Sequence, residues 1–334
     1  MNSRERFLAA LKGEKVDRPA VAHVAVLTSL ELQEHTGCWM PSVHHDAAQQ
    51  AALLAANHDV LGYDAVGFLI NYFIEPAALG TAMEWGSPSE LPMYRSHPWQ
   101  RIEDTAIPSD ILSRPPICTG IETIRYAKQH YGERMGIIGK VMGPFSMVQV
   151  MHGLEATMLA LVEDPECIVA FMDRTIDLLA DYANAQFAEG ADAIVIGEGG
   201  AGAQMLSPAM YERYLLPVHQ RLVRRIEGPA ILHICGDIRP RLAMLAQTGI
   251  ACFNFDWAIP PQDMVEAARG HFTVMGNINT SDLLYGTQET LEKQVEECLC
   301  AGVHIISPGC ALSPRCPNRN LRVLPDFTAK WKKH

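Results

Sequence analysis

The segment ILHICGDIRP, residues 231–240, sets a histidine and a cysteine two apart at the end of an apolar run. Side chains at i and i+2 of a strand project to the same face, so His233 and Cys235 can reach one ion while Ile234 points the other way. A third soft donor, Cys310, follows another apolar run in SPGC. One imidazole and two thiolates suit a catalytic Zn²⁺, which takes three protein ligands and keeps a fourth position open. Packing is the competing explanation, because cysteine is among the most buried residue types. Three soft donors at the ends of two separate apolar runs favour the metal. Cys316 is the rival third ligand, since GCALSPRC offers two thiols six apart, but Pro314 and Arg315 mark an exposed loop and rank it below Cys310. Cys298 and Cys300 lie two apart on divergent faces of a predicted helix and read as packing residues.

Eight short runs are apolar throughout rather than alternating, the pattern of parallel strands buried on both faces. They are AVAHVAVL (20–27), AVGFLI (65–70), GIIGKV (136–141), AIVIG (193–197), AILHIC (230–235), ACFNF (251–255), FTVMG (272–276) and VHIISPG (303–309). Between the later runs lie helical patterns at 164–190, 207–228, 238–249, 261–270 and 287–302, with Ser207 and Pro208 as an N-cap and first-turn pair. Strict alternation with eight strands predicts an α/β fold, a (β/α)8 TIM barrel formed by residues 1–334 as a single domain. The start, MNSRERFLAALKGEKVDRP, reads as a short N-terminal helical extension. The Pro-, Gly- and Ser-rich stretch from 71 to 134 reads as a long insertion after strand two that crosses the barrel mouth.

Reactive groups of such barrels sit where strands end at the C-terminal face. Those positions carry Glu198, His233 and Cys235, Asp256, Asn277 and Cys310. The last strand closes beside the first, so Cys310 must reach across the mouth to join His233 and Cys235. Asn71, Tyr72 and Glu75 follow strand two in NYFIEPAALG and are candidates to line the pocket.

Composition narrows the function. With 334 residues, 48% hydrophobic and 19% charged, the chain has ample material for a globular core. A net charge of −11 with scattered basic residues would repel a phosphate backbone, so no nucleic-acid partner is expected. No targeting segment and no membrane-spanning run is visible. Nine cysteines, an odd number, fit free thiols and metal ligands in a cytoplasmic protein better than a disulfide framework.

HIC at 233–235 with the distant SPGC, together with SRERFLAALKGEKVDRPAV, EPAALG (75–80), GPF (143–145), HICGD and GNIN (276–279), resembles the cobalamin-linked methyltransferases of the uroporphyrinogen decarboxylase superfamily. The methylcobamide:coenzyme M methyltransferases are the closest group. The resemblance covers nearly the whole chain and implies a (β/α)8 barrel. It also implies a zinc ion that binds a thiol substrate, and a methylated corrinoid (methylcobalamin, or a separate corrinoid protein docked over the mouth) as methyl donor. It places an acidic residue near Asp256, which becomes the candidate fourth, displaceable ligand, with Glu198 the alternative; Asn277 joins Tyr72 and Glu75 as a candidate substrate contact. The chain has no DxHxxG corrinoid signature of its own. The nearest string, NHDVLG at 57–62, has the wrong spacing.

GEGGAG (197–202) satisfies GxGxxG, but its glycines do not open a helix as a dinucleotide site requires, so a loop at the barrel mouth is expected instead. His23 reads as a core histidine and VHH (43–45) as surface. The main competing activity is uroporphyrinogen decarboxylation, a metal-free reaction that needs cationic side chains for the substrate's carboxylates. The decarboxylases carry an arginine-rich segment after strand one, and AHVAVLTSLELQEHTG has neither Arg nor Lys. A closed structural zinc site would use four ligands and is not needed by so large a core. Methyl transfer in the opposite direction, from a methyl donor to the corrinoid, stays open, as does the identity of the acceptor; coenzyme M's sulfonate would want Arg, Lys or N–H donors.

Overall fold

Eight short parallel strands close on themselves, and the other described residues either cover their outer face or finish the two ends. The computed structural model describes residues 1–24, 28–68, 70–101, 104–202 and 204–331. In chain order the strands are β1 (Ala20–His23), β2 (Ala65–Gly67), β3 (Met83–Glu84), β4 (Met93–Tyr94), β5 (Gly136–Met142), β6 (Ala193–Gly197), β7 (Ala230–Ile234), β8 (Cys252–Phe255), β9 (Thr273–Ile278) and β10 (Ile305–Pro308). The closed barrel runs β1-β10-β9-β8-β7-β6-β5-β2, and β3 and β4 form a separate antiparallel ribbon. The fold is a (β/α)8 TIM barrel.

Alternation along each strand sorts two cores. In β6, Ala193 and Val195 join the inner core with Ile138, Ile231, Cys252, Met275 and Ile305, whereas Ile194 and Ile196 pack in the outer core beneath the helices. The N-terminal helix Ser3–Leu11 starts in a capping box of Asn2 and Glu5 and sends Phe7, Ala10 and Leu11 into the floor of the barrel. Arg6 and Arg18 both pair with the fully buried Asp64, and Asp64 also accepts from the Val21 N–H, so the extension is fixed to the face opposite the strand ends. The site is left to the other face.

Three expectations change. Of the 71–134 insertion, the helix Ile117–Tyr131 packs against the helix Ala47–Asp59 as an ordinary barrel helix, so the excursion over the mouth is confined to the residues before it. The 207–228 helix is broken into Pro208–Met210, a π segment Tyr211–Leu215 and Leu216–Arg225. Pro217 has no N–H for the α ladder, and the Leu216 N–H reaches back five residues to the Tyr211 carbonyl. The 238–249 helix shrinks to a 3₁₀ turn, Arg239–Arg241, and Leu242–Leu245, after which the Gln247 and Thr248 N–H groups bond three residues back. Positions 25–27 of the first expected strand and 69 of the second lie outside the described residues.

Among the described residues no two cysteines are joined in a disulfide. Among the described residues, no single helix is long and apolar enough to cross a membrane. The apolar pair Pro144–His152 and Leu154–Glu163 is bent by 112°, and the first of the two is largely buried in the barrel wall.

Candidate active site and metal centre

β7 and β10 are separated by β8 and β9, yet Cys235, just past β7, and Cys310, just past β10, meet at the barrel mouth. Their sulfurs stand 3.4 Å apart, and His233 Nε2 lies 3.2 Å from Cys235 Sγ. The three donor atoms all fall within 4.8 Å of one another, the single such group of His, Cys, Asp or Glu among the described residues. In a tetrahedral zinc site the donors stand roughly 3.5–3.8 Å apart, from Zn–S near 2.3 Å and Zn–N near 2.0 Å. The Cys235–Cys310 and His233–Cys235 sides reach that spacing after opening by a few tenths of an ångström. The histidine is already set for the role. Its Nδ1–H donates to the Asn254 carbonyl at 3.2 Å, which turns Nε2 toward the sulfurs, where it can bind a cation once its proton is lost.

The electrostatics agree with a shared anionic site. Cys310 lies well below the ordinary thiol range, because the Cys235 thiol donates to its sulfur and His233 adds a hydrogen bond and charge. Cys235 is pushed well above that range by the same bond to Cys310 and by burial. For His233, burial is the largest single influence and opposes the charged ring, but the hydrogen bond and charge of Cys310 outweigh it and the net shift is upward. A cation in the triangle would replace the protons that these groups now share.

Glu198, expected as a catalytic residue and the alternative fourth ligand, lies outside the group of donor atoms. Its carboxylate lies beneath the mouth, wholly buried, at the N-terminus of the helix Pro144–His152. Oε1 accepts from the Ser146 N–H and hydroxyl, each at 2.7 Å; Oε2 accepts from the Phe145 N–H at 3.2 Å and from His219 Nε2 at 3.0 Å. Pro144 lacks an N–H, Gly143 N–H bonds to Gly197, and Met147 N–H to Gly143, so the carboxylate completes the donors of this helix start. A Cβ on Gly143 would lie 2.4 Å from Glu198 Oε2; only glycine admits the carboxylate here. His219 in turn accepts from the Tyr211 hydroxyl at 3.1 Å, and the guanidinium of the buried Arg241 lies over the Tyr211 ring and holds the Ala201 carbonyl. The chain of contacts fixes the Gly199–Ala201 turn against Cys235, and the Gly200 N–H is held by Ser146 Oγ at 2.9 Å.

The open side of the sulfur cluster faces a cavity of about 390 Å³. Its far wall is mostly apolar, with Tyr72, Phe73, Leu91, Tyr94 and Val150; the ribbon strand β4 thus borders the mouth. Of the expected substrate contacts, Tyr72 is in this wall, its hydroxyl bonded to the Gly197 carbonyl at 2.5 Å and its ionisation pushed well upward by burial. Glu75 does not line the cavity. It is buried behind it, accepts from the Met142 N–H at 2.8 Å and has its carboxyl pushed up to about 7 by burial. Asn277 braces the next loop through Nδ2, bonded to the Ile259 carbonyl at 2.7 Å, and faces away from the cavity. Asp256 stays outside the donor group; its Oδ1 caps the turn at the Ala258 N–H, and only its charge acts on His233 and Cys235.

Sequence reasoning passed over Lys140, Ser146 and Gln149, all on the cavity wall. Lys140 had a visible signal, being the one charge within a strand that is otherwise apolar or glycine. Cys316 is buried in the core and takes no part in the cluster. Cys298 is buried, as a packing residue should be, but Cys300 is exposed. GEGGAG borders the cavity through Gly199 and Gly200, ahead of a helix that starts only at Pro208. His23 is buried in β1. The expectation for 43–45 is corrected: Val43 and His44 are buried, His44 with its ring 5.6 Å from that of Trp85, because the following helix Ala47–Asp59 draws the segment into the core.

Comparison with known proteins adds a family and relatives. The family profile described as "Uroporphyrinogen decarboxylase (URO-D)" matches residues 2–331. A "Methylated-thiol--coenzyme M methyltransferase" of Methanosarcina mazei is 29% identical over 96% of this chain and 88% of its own length. A "Methylcobamide:CoM methyltransferase MtbA" of Methanosarcina acetivorans is 29% identical over 98% of each chain. Among solved structures, a methyltransferase from Methanosarcina mazei superposes with a TM-score of 0.95 at 26% identity, covering 99% of both chains.

Proposed function

The chain belongs to the uroporphyrinogen decarboxylase (URO-D) family, and we propose that within it the protein is a methyltransferase acting between a methylcorrinoid and a small-molecule thiol, as the names of its methylcobamide:CoM relatives suggest. The observation that carries this reading is the His233–Cys235–Cys310 triangle, open toward the cavity on its fourth side. Zinc held by these three residues would supply what a free thiol lacks at neutral pH, a deprotonated sulfur. The balance of the reaction is R–SH + CH₃–Co(III) → R–S–CH₃ + Co(I) + H⁺: the S–C bond forms, the Co–C electron pair stays on cobalt and the thiol proton leaves.

The chain's own residues do the rest. His233 is held in one tautomer by the Asn254 carbonyl, and the Gly199–Ala201 turn, held by Ser146 and Arg241, walls the site beside Cys235. Tyr72 and the apolar residues opposite limit water around the reacting sulfur, which keeps it nucleophilic. Decarboxylation is disfavoured by the same wall. A substrate with many carboxylates needs several cations, and Lys140 is the one Lys or Arg among the described residues lining this cavity.

The test is anaerobic: metal-loaded protein with methylcobalamin, or with methylated corrinoid protein, followed by absorbance with and without 2-mercaptoethanesulfonate and other thiols. Thiol-dependent loss of the methyl–cobalt spectrum, reversed by a methyl thioether with Co(I) corrinoid, is the expected result. No demethylation with any thiol would remove the proposal and return the decarboxylase reading.

A further inference from the structure

The two sulfurs of the donor triangle stand close enough to bind each other. Cys235 Sγ and Cys310 Sγ are 3.4 Å apart and share a hydrogen bond. A disulfide needs about 2.05 Å, so the pair closes by roughly 1.3 Å, a small swing of each side chain. The chain around them permits that movement. Cys235 follows the last residue of β7, and Cys310 lies beyond the end of β10, so neither belongs to the barrel's ladder. Gly236, next to Cys235, turns the chain at a φ of +79° with open space on its Cβ side. Both thiols are half-buried and border the cavity of about 390 Å³, so a small molecule in it meets both sulfurs. By contrast, Cys252, Cys298 and Cys316 are sealed in the core, and Cys300 is exposed on the helix Gln288–Ala301.

A metal and a disulfide compete for the same sulfur electrons. A ligating cysteine must be a thiolate, and a sulfur in a disulfide no longer is one. Once Cys235 and Cys310 are joined, His233 is the one donor left of the three. A single imidazole is too few to close a zinc site.

We propose that Cys235 and Cys310 form an oxidative modification site, at which a low-molecular-weight disulfide, the oxidised form of a thiol small enough for the cavity, joins the two cysteines and expels the metal. The balance is Cys235–SH + Cys310–SH + R–S–S–R → Cys235–S–S–Cys310 + R–SH + R–SH. One cysteine sulfur attacks the small disulfide and releases the first thiolate; the other attacks the resulting mixed disulfide, releases the second thiolate and completes the bond. The protein sulfurs are oxidised, the small disulfide is reduced, and the cysteine protons go to the departing thiolates. With zinc bound, Zn²⁺ leaves without a change of oxidation state. The site is therefore shut when the surrounding thiol is oxidised, and excess thiol with zinc reopens it. The inference rests on the zinc reading of the triangle for the ion that is lost, and it does not depend on methyl transfer.

The experiment uses the full-length wild-type protein, metal-free and zinc-loaded, treated anaerobically with 2-hydroxyethyl disulfide. Peptide masses after digestion without reduction are measured beside the zinc content of the same samples. In the metal-free protein the peptides carrying Cys235 and Cys310 appear joined, two hydrogens lighter than their sum and with no reagent attached, whereas Cys300 carries a reagent adduct. In the zinc-loaded protein the joined peptide forms more slowly and zinc is lost in step with it; dithiothreitol and fresh zinc restore the metal. Separate reagent adducts on Cys235 and Cys310, no modification of either, or a joined peptide in protein that keeps its zinc would each overturn the proposal. A joined peptide in protein that never takes up zinc would remove the zinc reading and the expulsion with it. Joining with loss of zinc, in a protein that demethylates methylcobalamin with no thiol, would leave the modification site standing and remove only the methyl-transfer reading.

Discussion

Cys235→Ala and Cys310→Ala are each expected to weaken zinc binding by more than about 100-fold and to abolish thiol-dependent methyl transfer. Even partners that only orient a metal ligand are worth about 10- to 100-fold in affinity, and removing a thiolate leaves two donors where three close one side of a tetrahedron. Stability is not expected to follow. Both cysteines are only half buried, beyond the ends of their strands, and neither belongs to the two cores. Metal analysis after dialysis, beside circular dichroism, reads the two effects separately. A Cys310→Ala protein that keeps one tightly bound zinc per chain would remove that residue from the site and reopen the case for another ligand.

Glu198→Ala should show the reverse pattern, in which stability falls first. The carboxylate is fully buried and accepts four hydrogen bonds from two helices. Its loss strands the Phe145 and Ser146 N–H groups, the Ser146 hydroxyl and His219 in a dry interior. Breaking such a buried, charge-assisted group costs about 3–5 kcal/mol, and Tm should drop on the order of 10 °C. Because Ser146 and Gly200 border the cavity, surviving protein should also bind thiol poorly while its zinc content stays near that of the wild type. Thermal melts with metal analysis test this. An unchanged Tm would show that the helix start does not depend on the carboxylate, whereas loss of zinc with an unchanged Tm would restore Glu198 to the metal.

The barrel and the donor triangle are legible in the sequence for physical reasons. A strand buried on both faces must be apolar throughout, so AIVIG and AILHI declare themselves, and β6 forms over the very residues its pattern marks, 193–197. His233 and Cys235 share a face by the two-residue period, which any strand geometry preserves. Glu198 is a different case. A carboxylate just past a strand end can turn up to the mouth or down beneath it, and the choice is made by Gly143 and the helix start opposite, 55 residues away. Asp256 and Asn277 stand at strand ends too, but the turns after them use their polar atoms locally. His44 and Pro217 show the same limit from another side: tertiary packing buried the first, and one missing N–H rewound the helix around the second. Lys140 is the residue the pattern could have given, since a lone cation in a fully buried strand has no structural reason to be there.

The most direct test of the central claim is zinc K-edge X-ray absorption on the purified, zinc-loaded protein, recorded before and after addition of 2-mercaptoethanesulfonate. The account predicts two sulfur neighbours at ~2.3 Å with one imidazole and one further light atom, changing to three sulfurs when the thiol is present. A protein that takes up no zinc, or a zinc whose sulfur count does not rise with thiol, would contradict it.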